Sequence, residues 1–157
     1  MIEKSLNDKV VLVTGAARRI GAAIVTRLQE NGARVAIHYR GSAQEADQLA
    51  AVLNAARADS ARTFQADLLD TAANAQLVAD VVNWAGRLDG LVNNASTFYP
   101  TPVGEITEEH WNDLTGSNFK APLFLSQAAA PHLRENGGSI VNIVDIHALR
   151  PLRDHTL

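Results

Sequence analysis

The sequence predicts an α/β fold, a parallel sheet doubly wound with helices on both faces. Short apolar runs rich in Val and Ile alternate five times with helical stripes, and the connections between them are mostly short. Strand–helix alternation is what a parallel sheet with crossover helices requires. Strands buried on both faces also lose the in–out alternation of half-exposed ones, which explains runs that are apolar throughout. At 157 residues the chain is long enough for one domain with a sizeable core.

Val10-Val11-Leu12-Val13 is the first such run. Ile20, Ile24 and Leu28 recur every four residues, a stripe expected to face the sheet, and Asn31-Gly32 stops that helix. Arg34 to Tyr39 is the second strand. Ser42-Ala43-Gln44-Glu45 has the form of a capping box, ahead of Ala46, Leu49, Ala50 and Leu53 on one helical face. Residues 62–66 make a weaker third strand, Leu77, Val78, Val81 and Val82 a third helix, and residues 88–93 a fourth strand. Thr107 opens a long helix carrying Trp111, Leu114 and later Leu125. Residues 138–144 are the fifth strand.

Composition narrows the function. The chain is 46% hydrophobic and 20% charged, as in an ordinary globular protein. It has no Cys, so disulfides, thiolate metal sites and cysteine nucleophiles are excluded, and no metal site is expected. A net charge of −3 lacks the basic excess that nucleic acid demands. No apolar stretch approaches the about 20 residues of a membrane span, and Met1 to Ser5 do not lead into a secretory core. The expectation is a cytoplasmic protein acting on a small molecule, with neither nucleic acid nor membrane as partner.

Ligands of such sheets bind beyond the carboxyl ends of the strands. The first strand runs into Thr14-Gly15-Ala16-Ala17-Arg18-Arg19-Ile20-Gly21. Gly15 permits a tight turn and Gly21 a close approach of helix to sheet. The N-terminus of the helix offers free N–H groups to a pyrophosphate, and Arg18 and Arg19 add two full charges. The second strand ends in His38-Tyr39-Arg40-Gly41-Ser42. An NAD-selective site places an acid here, about 20 residues beyond the glycine loop, yet residues 34–44 contain none. A guanidinium fork matches phosphate oxygens, so Arg40 with Ser42 suits a 2′-phosphate, and the cofactor expected is NADPH. Ser42 is equally suited to plain helix capping, and His38 equally to phosphate contact or to a structural place at the strand end.

Thr-Gly-x-x-x-x-x-Gly at 14–21, with Asn93-Asn94-Ala95 later, resembles the short-chain dehydrogenase/reductase family across essentially the whole chain. The resemblance implies a Rossmann fold. It implies Asp67 beside the adenine amino group, a position where an aspartate also serves to cap a helix or a turn. With Tyr39 and Leu68, it implies Asn94, Ala95 and Ser96 along the cofactor. Most members have glycine where this chain has Arg19, glycine where it has Ser96, and serine where it has Asp145. Those three residues together with Phe98 resemble the pteridine reductase branch. There the arginine lies between the cofactor phosphates and the pterin, the phenyl ring stacks on the pterin, and the aspartate passes a proton to a ring nitrogen through a tyrosine hydroxyl. The implied activity is NADPH-dependent hydride transfer to a dihydropterin or dihydrofolate. Arg19, Ser96 and Phe98 would sit at the substrate, with Asp145 and Asn118 catalytic. A general carbonyl reductase of the 3-oxoacyl type and a non-catalytic NADP(H)-binding module are the alternatives. His147 matches no family role and is read as structural.

Asn118 shares a helical face with Trp111 and Leu114, at i, i+3 and i+7, so it is expected to be buried and to need partners. Pro122 has no N–H to give the carbonyl four residues back, that of Asn118, which frees it to hold water or a lysine. The family's Tyr-x-x-x-Lys motif is missing: neither Tyr39 nor Tyr99 is followed four residues later by Lys, and the family spacing puts the tyrosine at or just past Leu157. Residues 1–157 are therefore expected to be an NADP(H)-binding domain truncated at its C-terminus. Such a piece would leave the edge of the fifth strand open to aggregation, bind NADPH weakly and reduce nothing alone. The full-length form would be a homotetramer.

Overall fold

A computed structural model describes residues 5–157. Five strands, β1 (Val10–Val13), β2 (Arg34–Tyr39), β3 (Ala61–Gln65), β4 (Gly90–Asn93) and β5 (Ser139–Asn142), form one sheet in the order β3-β2-β1-β4-β5. All four pairings are parallel. The order reverses at β1, and a crevice opens beyond the carboxyl ends of β1 and β4 at that switch point. The doubly wound expectation holds, with each strand starting or ending within a few residues of the place expected.

The apolar runs are explained by two cores. Val10 and Leu12 belong to one cluster, on the side of α3 (Thr71–Ala85) and α5 (Ala121–Asn136). Val11 and Val13 belong to the other, on the side of α1 (Arg19–Glu30) and α2 (Ala43–Ala56). Successive side chains point to opposite faces, so a strand covered on both sides has to be apolar at every position.

At the opposite end of the sheet Asp89 pins the start of β1 to the turn that leads into β4. Its carboxylate accepts from the Val10 N–H at 3.0 Å, from Lys9 Nζ at 3.0 Å and from both ends of the Arg87 guanidinium at 2.8 and 2.6 Å. Burial by itself would raise this carboxyl. The hydrogen bonds from Arg87, Val10 and Lys9 outweigh it and hold the group below the usual carboxylate range.

Three local expectations are corrected. The buried residues of α1 are Gly21, Val25 and Gln29, one position on from the expected stripe; Ile24 and Leu28 flank the core while Ile20 is 59% exposed. Helix contact is closest where the side chain is smallest, and Gly21 sets that line. Ser42 makes no capping bond with its side chain, and Glu45 turns away from it to Arg18 at 3.3 Å. Trp111 is 55% exposed and Asn118 is exposed, with only Leu114 of that trio buried. The long helix does start at Thr107, but a π-helical turn, Gly116–Lys120, separates α4 (Glu108–Thr115) from α5. The wider turn rotates Asn118 off the buried face. It falls just before Pro122, whose missing N–H cannot continue the ordinary ladder. Thr107 caps α4 in a reciprocal box with His110.

Among the described residues no helix is long and apolar enough to cross a membrane. β5 pairs only with β4 among them, and Ile140, Val141, Ile143 and Val144 stand exposed along it and its continuation.

Candidate functional site

The crevice above the switch point has a volume of about 930 Å³. It is bounded by the ends of β1, β2, β3 and β4 and by the loop after β5. All the cofactor and substrate positions expected from the sequence line it, and so does Asp145. Asn118 does not, although its neighbour Ser117 does.

The floor is built by two loops tied to each other. The Thr14 hydroxyl accepts from the N–H groups of Asn94 (2.9 Å) and Ala95 (3.0 Å). The Asn94 amide donates back to the carbonyls of Thr14 (2.9 Å) and Gly15 (3.1 Å). Gly15 has φ +61, and a Cβ there would stand 2.9 Å from the Cα of Ala95. A Cβ on Gly21 would stand 2.7 Å from the Cα of Ala16 and 2.8 Å from Asn94 Nδ2. Both glycines are thus required by contact with backbone, which cannot move aside. Thr14 escaped the sequence reading. A hydroxyl at the end of an otherwise apolar strand was the available signal.

His38 is buried beneath this floor. Its Nδ1 accepts from the Gly15 N–H at 3.1 Å, so Nε2 carries the hydrogen that goes to the Ala66 carbonyl at 3.1 Å. Burial lowers its pKa to about 4, so the ring is neutral at pH 7. With both nitrogens engaged by the protein, the ring braces the glycine loop.

Next to it the N-terminus of α1 faces the crevice with no side-chain cap and no acid in its first turn. The first N–H groups of a helix have no partner within it, so this end suits a pyrophosphate. Arg19 has φ +53, a left-handed conformation that costs a residue with a Cβ about 1–2 kcal/mol. Arg19 lines the crevice from this position. Arg18 pairs across the mouth with Glu45, the acid that the sequence assigns to a capping box with Ser42. Arg40 and Ser42 line the crevice beside this pair. Tyr39 packs partly on the core. Asp67 turns its own loop by accepting from the Leu69 N–H at 3.1 Å, and Leu68 is buried in the core with one edge on the crevice.

The β4 loop is held from the π turn. Asn118 accepts from the Thr97 N–H at 3.1 Å and donates to its carbonyl at 2.8 Å, while Ser117 meets the Thr97 hydroxyl at 2.8 Å. Asn118 thereby sets the course of Ser96 and Phe98 without lining the space. The Phe98 ring is 57% exposed and lies nearly parallel to two imidazoles, His155 at 4.6 Å and His147 at 6.3 Å between centroids. Asp145 accepts from the His147 N–H at 2.9 Å, which caps the short 3-10 turn Ile146–Ala148, and it also lines the crevice.

A family model described as short chain dehydrogenase matches residues 9–155. The chain belongs to the short-chain dehydrogenase family. Within that family it is 40% identical to pteridine reductase 1 of Leishmania tarentolae, over 94% of this chain and 64% of that protein. It is 34% identical to a 3-oxoacyl-(acyl-carrier-protein) reductase of Staphylococcus aureus, over 88% of this chain and 56% of that protein. Among solved structures it is similar to a blue fluorescent protein from a metagenomic library in complex with NADPH: TM-score 0.91, 39% identity, 97% of this chain and 62% of that one. The chain thus spans less than two thirds of the length of these short-chain dehydrogenase relatives.

Proposed function

We propose that this chain is the NADP(H)-binding part of a pteridine reductase, which transfers hydride from NADPH to a dihydropterin or dihydrofolate. One observation carries the reading. Arg19, Ser96, Phe98 and Asp145 come from three different loops, yet all line one crevice at the switch point of the sheet. The likeness to pteridine reductase 1 points the same way.

The residues present suit the cofactor. The uncapped end of α1 would hold its pyrophosphate, and Arg40 with Ser42 its 2′-phosphate. NADPH supplies hydride when bound. The chain's own groups would do the rest: Arg19 would supply positive charge between phosphates and substrate, Phe98 a flat apolar face for a planar heterocycle, and Asp145 a carboxyl for proton delivery. The Tyr-x-x-x-Lys pair of the family would come from outside these 157 residues, so turnover belongs to the intact protein.

Binding and turnover test this separately. NADPH should bind the chain at least ten-fold more tightly than NADH in a fluorescence titration, and Arg40→Ala should erase the difference. The intact protein should reduce dihydrobiopterin or dihydrofolate in preference to a panel of ketones and 3-oxoacyl thioesters. Equal affinity for the two cofactors, or a preference for ketones, overturns the proposal.

A further inference from the structure

The phenyl ring of Phe98 lines the crevice, yet it belongs to neither hydrophobic core and is 57% exposed. Among the described residues its ring neighbours are two imidazoles from the segment after β5. His155 lies 21° from parallel to the phenyl with centroids 4.6 Å apart, and His147 lies 11° from parallel at 6.3 Å. Neither imidazole lines the crevice, so both approach the phenyl from outside it. Each is fixed to its own backbone. Nδ1 of His155 is 2.8 Å from the Arg153 carbonyl, and Nδ1 of His147 is 2.9 Å from that of Arg150. A carbonyl oxygen only accepts, so each Nδ1 donates. The segment bearing His155 is in turn clamped to the loop bearing Phe98. The buried Thr101 hydroxyl accepts from the N–H groups of Thr156 and Leu157, and the Thr101 N–H donates to the Asp154 carbonyl.

We propose that His155 is a positioning residue for the substrate site: stacked on Phe98 and anchored through Thr101, it holds the phenyl in one rotamer and so fixes the plane against which a planar heterocycle lies. That the heterocycle is a pterin rests on the pteridine reductase reading above. The physical need is rotamer order. An exposed phenyl with no core contact can occupy any of the staggered wells, about three, of its first side-chain torsion. A centroid distance of 4.6 Å is within the range in which aromatic rings attract one another, and the contact selects one well. Without it, a ring spread evenly over the wells offers the right face about a third of the time, and the apparent affinity for a stacking ligand falls by that fraction. Chemistry follows stacking, so the effect belongs to KM and not to kcat.

In the intact protein, His155→Ala should raise the KM for dihydrobiopterin about three-fold, with kcat and the dissociation constant of NADPH unchanged. His155→Phe keeps a flat ring on the phenyl and should restore KM. Thr101→Val leaves the imidazole but removes its anchor, and should raise KM in the same sense. An unchanged or lower KM in His155→Ala overturns the proposal, and so does an equal rise in His155→Phe. The ring itself is read by NMR in the 157-residue chain. The Hα–Hβ couplings of Phe98 should report a single rotamer in the parent and averaged values in His155→Ala. Couplings that do not differ between the two overturn the proposal whatever the kinetics. An intact protein that reduces no pterin at all defeats the functional reading instead, while the couplings still decide whether His155 holds the ring.

Discussion

The Gly15 N–H donates to Nδ1 of His38 at 3.1 Å, and the far side of the same ring reaches the Ala66 carbonyl at 3.1 Å. One buried imidazole therefore joins the ends of β1, β2 and β3. It can do so only while Nδ1 is unprotonated.

That requirement makes stability depend on pH. Burial lowers the folded-state pKa of His38 from 6.5 to about 4. The unfolded chain then binds the proton more readily, so stability is full above pH 6.5 and is lost as pH falls towards 4. The loss should approach about 3 kcal/mol by pH 4. Urea midpoints measured across this range should show it, and His38→Gln should flatten that part of the curve while being less stable at pH 7.

Arg19 offers a test with two readouts. Replacing it with glycine removes left-handed strain but adds backbone freedom to the unfolded chain. The two effects nearly cancel, and stability should change by less than about 1 kcal/mol. In the intact protein the KM for dihydrobiopterin should nevertheless rise ten-fold or more, the usual size of a lost charge-assisted contact. A variant that loses several kcal/mol in urea would make Arg19 a structural residue.

Asp89→Asn should destabilise the chain by about 1–3 kcal/mol, because the amide cannot satisfy Lys9, Arg87 and the Val10 N–H together. In the parent the carboxyl is held below its usual range. Its contribution is present above the unfolded value of 3.8 and vanishes as pH falls through the lower folded value. Acid unfolding of the parent compared with Asp89→Asn should diverge above that window and converge below it.

The segment that carries His155 is fastened to the β4 loop by Thr101. The buried Thr101 hydroxyl accepts from the N–H groups of Thr156 (3.0 Å) and Leu157 (3.1 Å), and the Thr101 N–H donates to the Asp154 carbonyl at 2.6 Å. Thr101→Val keeps the shape and removes the acceptor. Amide exchange at 154–157 should quicken by ten-fold or more with little change elsewhere. Uniform quickening across the chain would mean that Thr101 serves the core instead.

The sequence by itself determined the class of fold, the order of its elements and the stations of the crevice. Those depend on local periodicity and on residues that stand at strand ends, which short-range pattern records: Val10–Val13, Gly15, Gly21 and the acid-free stretch at Arg40 were all legible. Only the tertiary structure decided how those residues are used. That Asn118 holds Thr97 from an exposed turn, that Glu45 answers Arg18 and not Ser42, that Thr14 knits two loops, and that Phe98 meets His147 and His155 all follow from contacts between residues distant in the chain. Such contacts are set by which loops the parallel sheet brings side by side and by a π turn that shifts the helical phase, and neither is written in the spacing of residues along one segment.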